Sequence, residues 1–120
     1  MRTTGESKRI AAAARGLMYP SETDAPLTPF HWRATTGATA ADAVAAHAKR
    51  AVTEVPLDAF FAELVTSDDG PRWRQLRAVL AAELADLKVF RVATRRVDIY
   101  LIGRTRAGAW AGLHTISVET

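Results

Sequence analysis

A chain of 120 residues and 13.0 kDa, 48% apolar and 24% charged, has room for one folded domain and is too apolar for a disordered tail. It contains no cysteine, which excludes disulfide scaffolds, thiol nucleophiles and Cys-ligated zinc. The net charge of +3 comes from 13 Arg and 3 Lys scattered along the chain, which predicts solvated faces rather than one nucleic-acid-binding face.

Glu6 to Met18 reads as a first helix, because Ile10, Ala14, Leu17 and Met18 share one face of a 3.6-residue period, and Thr3 with Glu6 has the spacing of a capping box. Arg9 and Arg15 bracket the Ala11–Ala14 run, so no signal peptide is expected. No apolar stretch approaches the roughly 20 residues of a membrane span, and no lipidation site is present. A cytoplasmic protein without membrane contact is expected.

Tyr19 to Pro26 breaks the helix with two prolines and polar turn formers. Leu27 to Arg33 follows as a strand, and Pro29 assigns it to a sheet edge or a bulge. Thr39 caps a helix from Ala40 to about Arg50, with Asp42 reinforcing the cap. Val52–Val55 reads as a short strand or extended link, and Leu57–Val65 as a helix with Leu57, Phe60, Phe61, Leu64 and Val65 gathered on one side. Asp68-Asp69-Gly70-Pro71 turns the chain into a long helix, Pro71 to Leu87, striped by Trp73, Leu76, Leu80, Leu84 and Leu87.

The remainder predicts a three-stranded meander of Val89–Thr94, Val97–Arg104 and Trp110–Glu119, with Arg95-Arg96 as a tight connection. Tyr100, Leu101 and Ile102 are apolar in succession, so both faces of the middle strand should be covered. This order of elements predicts a single domain, a three-layer α/β/α sandwich around a mainly antiparallel sheet.

Catalytic patterns are missing. His31, His47 and His114 have no metal-ligand spacing, so no metal of the protein's own and no cofactor are expected. Gly103 to Gly108 sits between two strands and reads as a hairpin rather than a phosphate loop. Ser21 lacks the flanking glycines of a nucleophile elbow. An enzyme is not expected.

Two acidic features remain. Pro20 and Pro26 restrict the loop carrying Glu22 and Asp24. A last strand running to the end of the sequence would hold Glu119, the Thr120 hydroxyl and its carboxylate in a fixed direction. Anionic groups on rigid supports suit a metal ion or an arginine cluster on a partner protein. The competing account is that Glu22 or Asp24 caps a turn and Thr120 frays.

Three blocks of residues resemble the nuclease A inhibitor-like proteins. They are Gly16-Leu-Met-Tyr-Pro-Ser-Glu-Thr-Asp-Ala-Pro-Leu-Thr-Pro-Phe-His-Trp32, then Val55-Pro-Leu-Asp-Ala-Phe-Phe61, then Val89-Phe-Arg91 through Val97–Gly108 to Ser117-Val-Glu-Thr120. The resemblance implies an α/β/α sandwich and a stoichiometric inhibitor of sugar-non-specific endonucleases of the ββα-metal type. It further implies that Thr120 engages the target's catalytic metal through water and that Glu22 meets basic groups of the target cleft; Glu119 and Asp24, from the acidic tail and loop, are the weaker candidates. Against the family pattern, the loop before the long helix is cut to about Ser67–Arg72, and the Gln and Trp that contact the nuclease there have no counterpart. The chain is also basic, with a pI near 9.8. Two alternatives follow: a diverged member with another protein partner, and a nucleic-acid binder using Arg91, Arg95, Arg96, Arg104 and Arg106.

Overall fold

A computed structural model describes residues 5–93 and 96–118. In chain order the elements are α1 (Gly5–Ala14), β1 (Met18–Tyr19), β2 (Ala25–Pro26), β3 (Thr28–Trp32), a single 3-10 turn (Ala34–Thr36), α2 (Ala40–Ala48), β4 (Thr53–Val55), α3 (Leu57–Leu64), α4 (Gly70–Glu83), β5 (Ala85–Ala93), β6 (Val97–Arg104) and β7 (Trp110–Ser117). Strands β1 and β2 form a small ribbon, and the other five form an antiparallel sheet in the order β3-β7-β6-β5-β4. The chain is thus a single mixed α/β domain, and its 13.4 Å radius of gyration is that of a compact chain of this length.

Alternation along the strands divides the apolar side chains into two clusters. Val89, Leu101 and Leu113 pack with Ile10, Phe61, Trp73, Leu76 and Leu80 from α1, α3 and α4. Phe90, Val92, Tyr100, Ile102 and Trp110 pack with Ala40, Ala43 and Val44 from α2. Tyr100, Leu101 and Ile102 are all buried, as their apolar succession predicts. Pro29 lies in β3, an edge strand, where a missing N–H is tolerated.

Local signals placed most elements. Thr39 Oγ1 accepts a hydrogen bond from the Asp42 N–H (3.1 Å), the cap expected for α2. That helix stops two residues early, at Lys49, which adopts a left-handed conformation (φ 58°). The first helix ends four residues earlier than its periodicity suggests, at Ala14. Gly16 turns left-handed (φ 74°), so Leu17 still reaches the core whereas Met18 is 41% exposed in β1. Thr3 of the expected capping box lies outside the described residues, and the Glu6 carboxylate instead accepts the Arg106 N–H at 2.8 Å.

The long helix also ends early, at Glu83. Leu84 is extended, Asp86 takes φ 53°, and a bulge between Ala85 and Lys88 lets β5 pair the whole length of β6. Leu84 and Leu87 still face the α4 side, but from a strand. Strand β7 ends at Ser117; Glu119, its expected last residue, and Arg95 of the expected connection lie outside the described residues.

Candidate partner-binding site

Residues Pro20–Asp24 form the tip of the β1–β2 ribbon, whose pairs are Met18 with Pro26 and Tyr19 with Ala25. The tip is fastened to the end of β7. The Glu22 N–H donates to the Val118 carbonyl (3.1 Å), and the Val118 N–H donates to Ser21 Oγ (3.0 Å). Ser21 Oγ in turn donates to the Thr23 carbonyl (2.8 Å), and the Ser21 N–H reaches Asp24 Oδ1 at 3.4 Å. Ser21 therefore joins the acidic loop to the last strand, a role its sequence setting did not suggest.

The two acids of the loop differ. Asp24 turns a carboxylate oxygen back onto its own loop, which is the turn-capping role. Glu22 is exposed, and among the described residues its carboxylate forms no hydrogen bond or ion pair. Its backbone is held while its charge is left in solvent. Glu119 and Thr120 lie outside the described residues, beginning one residue beyond Val118.

Beside the ribbon, Tyr19, Pro20, Val55, Phe60, Glu63 and Arg91 are among the residues lining a half-open cleft of about 440 Å³. Ser67, in the short connection between α3 and α4, also lines this cleft. Thr66 and Ser67 cap α3 by donating to the Glu63 and Leu64 carbonyls (2.8 and 2.6 Å). The Gly70 N–H donates to the Ser67 carbonyl (2.9 Å), and a Cβ on Gly70 would fall 2.1 Å from the Val65 oxygen. Trp73 is buried in the core, in keeping with its place on the α4 stripe.

The arginines of the nucleic-acid alternative divide between the two ends of the sheet. Arg91 and Arg96 flank the β5–β6 connection, whereas Arg104 and Arg106 lie at the β6–β7 hairpin. The eight-residue length of β6 separates these ends by roughly 23 Å. Arg104 is also committed within the chain: its guanidinium donates to the carbonyls of Gly108 (3.0 Å) and Ala38 (2.9 Å) and lies 4.1 Å from the Trp110 ring centroid. Arg95 lies outside the described residues.

The histidines are likewise dispersed. His47 stacks on Trp32 at 4.3 Å, and His114 Nε2 lies 2.8 Å from Asp98 Oδ1 beside Tyr100. The antiparallel register of β6 and β7 sets His114 diagonally across from Asp98, a pairing visible in the sequence once the hairpin is counted. Burial, and then the Asp98 charge, raises the Tyr100 phenol above its ordinary range. Among the described residues no group of three His, Asp or Glu is placed to hold a metal ion, and no helix is long and apolar enough to cross a membrane.

The chain is a small mixed α/β domain carrying an acidic loop fastened to the end of its last strand. The model of the nuclease A inhibitor-like protein family matches residues 6–120, and the chain belongs to that family. No curated protein sequence matches it.

Proposed function

We propose that this chain is a non-enzymatic protein inhibitor that binds and blocks the active site of a metal-dependent, sugar-non-specific endonuclease. Family membership supports the inhibitor role. The observation that carries the site is the pair of hydrogen bonds between the Ser21–Glu22 loop and Val118. These bonds set Val118, two residues before Thr120 in the sequence, against the Glu22 loop, which supports a reading in which one target cleft meets both Glu22 and Thr120.

A nuclease cleft offers a divalent cation and positive side chains to the phosphates of its substrate. Glu22 supplies a carboxylate whose backbone is fixed before binding, which lowers the ordering cost of association. Thr120 engages the target's metal through water, and Glu119 and Asp24 add negative charge around them. Asp24 contributes less, because it already braces the loop. The division of the core into two clusters supports a three-layer α/β/α arrangement beneath this site.

The test is a nuclease-protection titration with the parent, Glu22→Ala and a Thr120 deletion. Inhibition by the parent saturates near one inhibitor per nuclease. Each variant inhibits roughly thirtyfold more weakly, the effect of losing about 2 kcal/mol at a central contact. Unfolding free energies stay within about 0.5 kcal/mol of the parent, so that weaker inhibition reports lost contacts rather than lost folding. Variants that inhibit like the parent overturn the site. A parent that fails at large excess overturns the target and favours another protein partner, for which the short Thr66–Asp69 connection is the structural motive.

A further inference from the structure

We propose that the cleft between the β1–β2 ribbon and α3 receives an arginine side chain of the bound partner; the inference rests on the reading that a protein docks at the Glu22 end. One wall is aromatic. The Tyr19 and Phe60 rings lie parallel, 3° apart in plane and 5.7 Å between centroids, and both line the cleft. Val55 and Ile99 extend the apolar surface, which suits the stem of a long side chain.

Charge decides which tip that side chain carries. Glu63 lines the cleft from α3, is exposed, and has no ion pair among the described residues. Arg91, on the sheet side, is already engaged within the chain. Glu63 is thus the cleft charge left without an ion pair among the described residues, and it is negative. Glu22, Asp68 and Asp69, close in sequence to the lining residues Pro20 and Ser67, are exposed acids as well, although the chain as a whole is basic. A planar guanidinium can lie against an aromatic face and still direct its N–H groups to a carboxylate, which an ammonium does less well. A cleft of about 440 Å³ is within the ordinary range for bound groups of this size. The contact reverses the usual polarity of an inhibitor loop: the partner supplies the projection and this chain the recess.

The probe is an acetylated Gly-Arg-Gly amide, titrated into the full chain while backbone and aromatic NMR signals are followed, with the Lys and Glu tripeptides as comparisons. The arginine peptide is expected to shift Tyr19, Phe60 and Glu63 saturably. Glu63→Gln should weaken it about threefold to fivefold, the worth of one exposed ion pair, and Glu22→Ala should leave its shifts within the cleft. Phe60→Leu, which keeps an apolar side chain in the core, should also weaken it. Absence of saturable shifts at tens of millimolar peptide overturns the proposal, as do equal shifts from the lysine or glutamate peptide.

The protection titration separates this proposal from the inhibitor reading. Peptide binding in the cleft without nuclease inhibition leaves the recess standing and removes the endonuclease as target. Full inhibition by both the parent and Glu63→Gln, with no peptide shifts, keeps the inhibitor and removes the recess.

Discussion

The β6–β7 hairpin end of the sheet and the Glu22 end are held by different groups. At the hairpin, side chains do the holding. Arg104 bonds to two carbonyls and covers Trp110, Trp110 Nε1 donates to the Gly37 carbonyl, Thr105 Oγ1 accepts the Ala109 N–H, and Glu6 ties in Arg106. At the opposite end the backbone of Glu22 and Val118 is fixed, while the Glu22 and Glu63 carboxylates remain in solvent. Polar groups directed inward make the hairpin a structural closure. Backbone order combined with free charge is what a docking surface needs, because the loop is rigid before the partner arrives.

The sharpest way to break this contrast is Trp110→Ala at the hairpin. It removes a buried ring and the partner of Arg104, so it should cost about 3–5 kcal/mol, measured as a lower urea midpoint at constant slope, with nuclease inhibition intact wherever the chain stays folded. Ser21→Ala tests the other end. It deprives Val118 N–H of its acceptor and should cost about 1–2 kcal/mol, with faster amide exchange at Val118. Unlike the hairpin change, it should weaken inhibition by more than the stability loss explains, and unchanged exchange would refute the bracket.

Between the ends, Thr115 in β7 is 1% exposed, and among the described residues its hydroxyl has no hydrogen-bond partner. Thr115→Val keeps the shape and removes the buried polar atom, so urea unfolding should find it neutral or up to about 1 kcal/mol more stable. The smallest effect is one of pH. A raised phenol keeps Tyr100 protonated in the folded state where the unfolded chain ionises, so this contribution is complete below about pH 10 and is lost as pH climbs through the folded value. The melting temperature of the parent should fall more steeply above pH 10 than that of Tyr100→Phe, and identical profiles would refute it.

Elements specified by neighbours in the chain were legible. Thr39 and Asp42 announce α2 through a three-residue contact, and the unbroken apolar run Ile99–Ile102 announces a strand covered on both sides. Leu84 and Leu87 misled because their spacing fits a helix stripe as well as a bulged strand, and pairing with β6 decided between them. The acidic loop was visible through its prolines and its family resemblance. Its fastening was not, since Ser21 and Val118 lie 97 residues apart and nothing local in either requires the other. The cleft was equally hidden, because it is lined from β1, β4, α3, β5 and β6, which only the tertiary fold brings together.

Pro29 carries a consequence for how the molecule behaves in a crowd. A proline fits an edge strand only with its nitrogen turned away from the ladder, so the outer rim of β3 offers one donor fewer to any passing strand. The opposite rim belongs to β4, only three residues long and followed at once by Pro56. Both margins of the sheet are therefore poor templates for a second copy, and the domain can be concentrated without zipping onto itself.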